Sequence, residues 1–177
     1  EPLFKKYHAY SEKMYALAPN DFNSIMELSY SHNSLGSLYI EKSDYSAAKQ
    51  RFTESLTLKN KALKLKPNNK NLLRDKADTI SWLAKTEEKL GGFSTTVNML
   101  ENALTVVKDM TASYPNDASL LYMSANIHMQ QSYLLSYLTD KRIAYEKALF
   151  ANRMIRKALD QDSKNNEFQH LYFRSLA

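Results

Sequence analysis

The sequence predicts an all-α chain of antiparallel helix pairs repeating every 48 residues, and three observations carry this. Pro19, Pro67 and Pro115 stand 48 residues apart, inside the similar words "APNDF", "KPNNK" and "YPNDA". Three glycines and four prolines in 177 residues are too few for the turns of a sheet-rich fold. A shift of 48 lays 31–56 on 79–104 and again on 127–152. Small residues then coincide at Gly36, Ala84 and Ser132, at Ala48, Thr96 and Ala144, and at Ser55, Ala103 and Ala151. Helices that cross closely admit only small side chains at the crossing, so these columns mark a repeated helix–helix contact.

The elements follow in order. Leu3–Leu17 reads as a helix closed by Pro19, a half-repeat over 1–20. Proline cannot continue a helix and disfavours helical geometry in the residue before it, so the Pro-Asn words act as punctuation. After the first, a helix runs from about Asp21 to Glu41, with Ile25, Leu28, Leu35, Leu38 and Tyr39 near helical spacing. It stops at "KSDY", where Ser43 or Asp44 can cap a second helix that extends to about Leu65. "LGGF" (90–93) and "LTDK" (138–141) fill the same place in the next units, giving repeats over about 21–68, 69–116 and 117–164. The fourth punctuation site, "DSKN" at 162–165, has lost its proline but keeps its polar turn character, and a partial repeat follows at 165–177. Eight helices result, in one repeat domain with incomplete units at both ends. Repeat units bury their apolar faces on their neighbours, so such ends leave apolar surface open. The chain starts at Glu rather than Met and is expected to be a piece of a longer protein; otherwise its end helices associate with a second copy. Leu3, Phe4, Phe168, Leu171, Tyr172 and Phe173 would form that contact.

Composition narrows the function classes. Apolar residues make up 44%, which excludes a disordered tail. The absence of cysteine removes disulfides, thiol nucleophiles and cysteine–zinc sites, and leaves the compartment open. No apolar run approaches the roughly 18–20 residues needed to span a bilayer, and "EPLFKKYHAY" lacks the apolar core of a signal peptide. The net charge of +5 is modest. Lys59, Lys61, Lys64, Lys66, Lys70, Arg74 and Lys76 form one basic concentration, with Asp75 as its only acid. Such a cluster meets phosphates or an acidic protein, or is a solvated helix end with cations near the helix C-terminus. Nucleic-acid binding through 59–76 is the lesser expectation, because charges alternate elsewhere.

No convergent set of reactive groups is visible, so no enzyme, cofactor or metal site is expected. His32 and His128 occupy equivalent positions two repeats apart, too distant to share a metal. There is no HExxH, phosphate-binding glycine loop or nucleophile elbow. The methionines of "EKMYALA" and "LYMSANIHMQQ" suit an adaptable surface, but core gap-filling is the commoner use. Twelve tyrosines suit surfaces that are apolar at one end and wet at the other, or seams between helices.

The pattern Leu-Gly, Tyr three residues on, then spaced small and aromatic residues and a closing proline resembles the tetratricopeptide repeat family. The first unit matches at Leu35, Gly36, Tyr39, Ala48, Phe52, Ser55 and Pro67; the second at Leu83, Ala84, Thr96, Leu100, Ala103 and Pro115; the third at Ser132, Leu135, Ala144, Ala148 and Ala151. The family's tryptophan position holds His32, Ile80 and His128. The unit exceeds the family's usual length by about 14 residues, or two turns per helix. In this it is similar to long-helix arrays attached to large bacterial signalling proteins, membrane-linked kinases among them, with the cytoplasm or periplasm left open. The resemblance implies a right-handed superhelix whose first helices line a concave groove for an extended peptide or a partner's helix. Its groove positions fall on Tyr30, Asn33, Ser34 and Ser37, on Asp78, Ser81, Trp82 and Lys85, and on Asn126, Met129, Gln130 and Tyr133. Asn and Gln can bond an extended backbone, while Trp and Tyr give flat apolar contact. Chaperone-binding members clamp a C-terminal carboxylate with Lys and Arg; here the third-unit counterparts Asn126 and Gln130 are uncharged, so that activity is not expected. Trp82, the single tryptophan, is the foremost contact candidate, although "ISWLA" also reads as core.

Overall fold

The computed structural model of the chain describes residues 2–138 and 141–176. Among these residues lie eight helices and no strand: α1 (Pro2–Leu17), α2 (Phe22–Glu41), α3 (Tyr45–Leu65), α4 (Lys70–Lys89), α5 (Phe93–Ser113), α6 (Ala118–Leu138), α7 (Lys141–Gln161) and α8 (Asn166–Arg174). They fall into two compact units, one ending at Thr96 and the other beginning at Val97, with the division inside α5.

The first helix of each pair is started by a side-chain cap in fixed register. Asp21 accepts from the Ser24 amide at 2.8 Å, Asn69 from Leu72 at 3.1 Å, Asp117 from Leu120 at 3.1 Å and Asn165 from Phe168 at 3.2 Å. These caps stand 48 residues apart, each two positions after Pro19, Pro67, Pro115 or Ser163. A proline ends one helix and the Asn or Asp side chain satisfies the first free amides of the next. "DSKN" still works as punctuation because it keeps the capping residue.

Between α2 and α3 the capping role falls to Asp44, whose carboxylate accepts from the Ala47 amide at 3.1 Å, while Ser43 takes the left-handed conformation with φ 59°. In the next repeat Gly91 supplies the left-handed residue, at φ 85°, where a Cβ would be strained. The third such turn, "LTDK", contains Thr139 and Asp140, which lie outside the described residues.

The small-residue columns are helix crossings. Thr96 donates its hydroxyl to the Ala84 carbonyl at 3.3 Å, and Ser132 donates to the Ala144 carbonyl at 2.7 Å. The same two columns are thus bonded in opposite directions in the two repeats. In the first repeat Gly36 and Ala48 leave no hydroxyl there. A Cβ on Gly36 would lie 2.8 Å from the ring of Phe52, which is fully buried. Gly36→Ala should therefore cost about 1–3 kcal/mol through overpacking, read as a lower urea midpoint; an unchanged midpoint would show that the ring can withdraw.

Each unit has its own core. In the first, Ile25, Met26, Leu28, Leu58, Ala62 and Leu72 cluster, with Tyr15, Phe22 and Leu63 against them. In the second, Leu121, Ala125, Ala151, Ile155, Ala158, Phe168 and Leu171 cluster. Phe168 and Leu171, expected at a self-association surface, are therefore spent on the chain's own core, with Tyr172 packed against it, while Phe173 stays exposed.

Candidate functional site

α2 and α4 carry eight of the twelve groove positions. Side-chain bonds hold these first helices side by side. The Tyr30 hydroxyl donates to Asp75 at 2.8 Å, and Asn33 donates to Thr79 at 3.1 Å. Ser34 and Ser81 spend their hydroxyls on their own helices, donating to the carbonyls of Tyr30 and Ala77. Ser37 is half-buried, and Lys85 is exposed with its ammonium 4.9 Å from the Trp82 ring centroid. Trp82 is half-buried; its ring stacks on Phe52 at 6.1 Å and 13°, and its indole N–H donates to the Asp78 carboxylate. Trp82 thus belongs to both core and face. Asp78 keeps an open edge to solvent while protein atoms crowd its other side; partial desolvation raises its carboxyl pKa, against the pull of the Lys59 ammonium.

On α6, Asn126, Met129 and Gln130 are half-buried and Tyr133 is exposed, its ring edge-on to Tyr137 at 5.2 Å. Met129 packs on the second unit's core and so leans to structure. Asn126 lines a hollow with Tyr122, His170 and Arg174 of the same unit.

One member of the basic concentration is drawn into the interior. Lys59 has no exposed surface at all. Its ammonium donates to the hydroxyls of Ser55 and Thr79, both at 2.9 Å, beneath the Tyr30 ring at 5.6 Å. Burial lowers its pKa to about 8 even though Asp75 and Asp78 pull the other way. Lys61 donates to the Tyr15 hydroxyl and the Pro19 carbonyl, and Lys66 lies 3.8 Å from the Phe22 ring centroid. Lys59, Lys61 and Lys66 thus take part in turns and seams, while Lys64 and Lys66 keep exposed surface and Lys70, Arg74 and Lys76 are half-buried.

A second polar cluster joins α1, α2 and α3. The rings of His8 and His32 meet edge to face at 4.6 Å. His8 Nδ1 lies 2.9 Å from the Ser31 hydroxyl, which also reaches the Leu28 carbonyl, and His8 Nε2 lies 3.4 Å from Glu12. His32 Nδ1 lies 3.0 Å from Glu54, out of line for a hydrogen bond, and Arg51 holds the same carboxylate oxygen at 3.0 Å. Burial, outweighing Glu54, lowers the His32 pKa to about 4, and burial lowers that of His8 as well. No group of three or more His, Asp and Glu among the described residues is placed to hold a metal.

Lys59 and the histidine pair escape composition and motif reading, yet the repeat register carries a signal for one of them. Position 59 corresponds to Val107 and Ile155, both buried and apolar. A lysine in that column must be buried too. In the same way Gln131 stands in the column of Leu35 and Leu83, is fully buried, and has its amide unpaired among the described residues.

Paired helices with this register define a fold class, that of the tetratricopeptide repeat proteins. The chain aligns over 99% of its length with 74% of a thermophilic TPR protein of Thermus thermophilus, at 17% identity and a TM-score of 0.51. It also aligns over 96% of its length with 26% of a chain of the APC/C hetero-tetramer Cut9–Hcn1, at 20% identity and a TM-score of 0.45. No family model matches the chain, and no curated protein matches it. No helix among the described residues is long and apolar enough to cross a membrane.

Proposed function

We propose that this chain is a non-catalytic protein-interaction module of a larger signalling protein, binding an extended peptide segment on the α2–α4 face. The observation that carries this reading is the pairing of α2 and α4 through Tyr30–Asp75 and Asn33–Thr79. These bonds fix a strip in which Ser37, Asp78 and Lys85 offer donors and acceptors beside the open side of Trp82. A peptide backbone has the matching groups, and the flat indole gives one of its side chains an apolar seat. Asn126, Gln130 and Tyr133 offer the same chemistry on α6.

Trp82 is the only tryptophan, so its emission reports occupancy of this face directly. A peptide selected from a random library on the wild-type chain should shift that emission on titration. The change Asp78→Ala with Lys85→Ala should weaken it at least tenfold while leaving the circular dichroism unchanged. A selected peptide that binds without moving Trp82 emission, or equally to the variant, would refute the α2–α4 assignment.

Self-association is the second reading, favoured by the exposure of Leu3 at 79%, Leu17 at 89% and Phe173 at 67%. It predicts a mass that rises with concentration in sedimentation equilibrium and reverts to monomer in Leu3→Ser with Phe173→Ser.

A further inference from the structure

A cleft of about 400 Å³ opens in the second unit, and it involves α5, α6 and α7. Leu104, Phe150 and Met154 line it with Ser124, His128 and Thr111, and Lys108, Lys147 and Glu101 stand around them. The repeat register explains why it is open. Subtracting 96 from each number leads to the first unit, where Tyr15 corresponds to Thr111 and Leu28 to Ser124. Leu28 belongs to the first unit's core, and the half-buried Tyr15 packs against that core. Two bulky apolar side chains are thus replaced by two small hydroxyl-bearing ones, and the space they fill in one unit becomes a cleft in the other. Its volume lies within the range of roughly 300–1,000 Å³ usual for small-molecule sites.

What fills the equivalent place in the first unit indicates what fits this one. There the chain lays an aromatic ring, His8, against His32, and sets a carboxylate, Glu54, beside the Arg51 cation. In the second unit His128 takes the place of His32, and Lys147 that of Arg51. Glu54 and His8, however, are replaced by Phe150 and Leu104, which carry neither the carboxylate nor the polar ring. The His128 ring is held against Phe150 at 4.4 Å, and its Nδ1 bonds the Ser124 carbonyl at 2.8 Å, which fixes the tautomer and leaves Nε2 as an acceptor. Lys147 is paired with Glu101 at 3.1 Å, the one acid in the lining, against the two cations Lys147 and Lys108.

We propose that this cleft is a binding site for a small aromatic carboxylate. The ring seats among Leu104, Phe150 and Met154, where the first unit has Leu28 and Leu58 in its core and Tyr15 packed against it. The carboxylate takes Lys147 and Lys108, and a ring hydroxyl donates to His128 Nε2. This site is independent of the peptide face, since it uses none of the same residues.

The probe is 4-hydroxybenzoate, followed by saturation-transfer NMR and calorimetry on the whole 177-residue chain. Its neutral analogue, 4-hydroxybenzyl alcohol, is the control. Binding is expected with a dissociation constant of about 1 mM or tighter, and about tenfold weaker for the alcohol. The double change Thr111→Tyr and Ser124→Leu installs the first unit's own residues. It should abolish binding and raise the melting temperature, and Ser124→Leu alone should weaken binding at least fivefold if the double variant does not fold. Absence of saturation transfer with the wild type would overturn the assignment, as would unchanged affinity in the filled variants. Equal affinity for acid and alcohol would overturn the carboxylate class.

Discussion

Replacing Lys59 with methionine should stabilise the protein, by about 2 kcal/mol. The ammonium is wholly buried on two neutral hydroxyls. Lowering its pKa from 10.5 to about 8 corresponds to a penalty of about 3 kcal/mol for carrying the charge in the folded state. Methionine has nearly the same length and the flexibility to fill the channel. The hydroxyls it abandons keep other partners: Ser55 bonds Ser29 at 2.9 Å, and Thr79 donates to the Asp75 carbonyl at 2.9 Å. The attraction of Asp75 and Asp78 is lost, which trims the gain. At roughly 2–4 °C per kcal/mol for a chain of this size, the melting temperature should rise by about 4–8 °C.

The pH dependence checks the cause. Folded Lys59 releases its proton near pH 8, whereas the unfolded chain holds it until about 10.5. Between these values the unfolded state binds more protons, so stability rises with pH. The advantage of Lys59→Met should therefore be largest below pH 8 and shrink towards pH 9.5. Above that, Tyr30, pushed up to about 12 by burial and its bond to Asp75, and Tyr7, raised further by burial and Glu27, oppose the trend in both proteins. A methionine variant less stable than wild type at pH 7 would mean that Asp75 and Asp78 more than offset the cost of burial.

Acidification should have the second large effect. His32 has a folded pKa of about 4 against 6.5 in the unfolded chain. The unfolded state binds the extra proton throughout this window, so stability is complete above pH 6.5 and is lost as pH falls towards 4. At pH 5 the loss from His32 alone amounts to about 2 kcal/mol. His8 and His128 are lowered too, both chiefly by burial, and act in the same direction. Two neutral imidazoles at 4.6 Å tolerate each other; a charge on His32 would be desolvated and repelled by Arg51 and by any charge on His8. Urea midpoints at pH 7 and pH 5 measure the slope. In His32→Ile, which places the second repeat's own residue there, the slope should fall by more than half. An unchanged slope would move the acid sensitivity to other groups.

Both predictions rest on residues whose surroundings could not be read locally. Lys59 reads as one of seven cations in a basic stretch, and its identity as a charged residue points outwards. It lies inside because the register sets position 59 in the column of Val107 and Ile155, and because Thr79 arrives from the next helix. His8 and His32 are 24 residues apart, and nothing in either segment announces the other. Two of the six end-helix residues escape local reading for the same reason: Phe168 and Leu171 look like an open end until α6 and α7 supply Leu121, Ala125 and Ile155 to cover them.

The sequence by itself determined the helices, their boundaries and their pairing. Those depend on local chemistry repeated at a fixed interval: a proline that stops one helix, an Asn or Asp two residues later that caps the next, and a small residue wherever two helices cross. Only the tertiary structure decided which of the candidate groove residues keep an open side, that Trp82 is shared between Phe52 and Lys85, and that one unit is filled where the other holds a cleft. Such outcomes depend on the volume and charge of side chains brought together from distant segments. A Thr for Tyr or a Ser for Leu changes nothing in a helix, but removes the atoms that would have closed the space beside it.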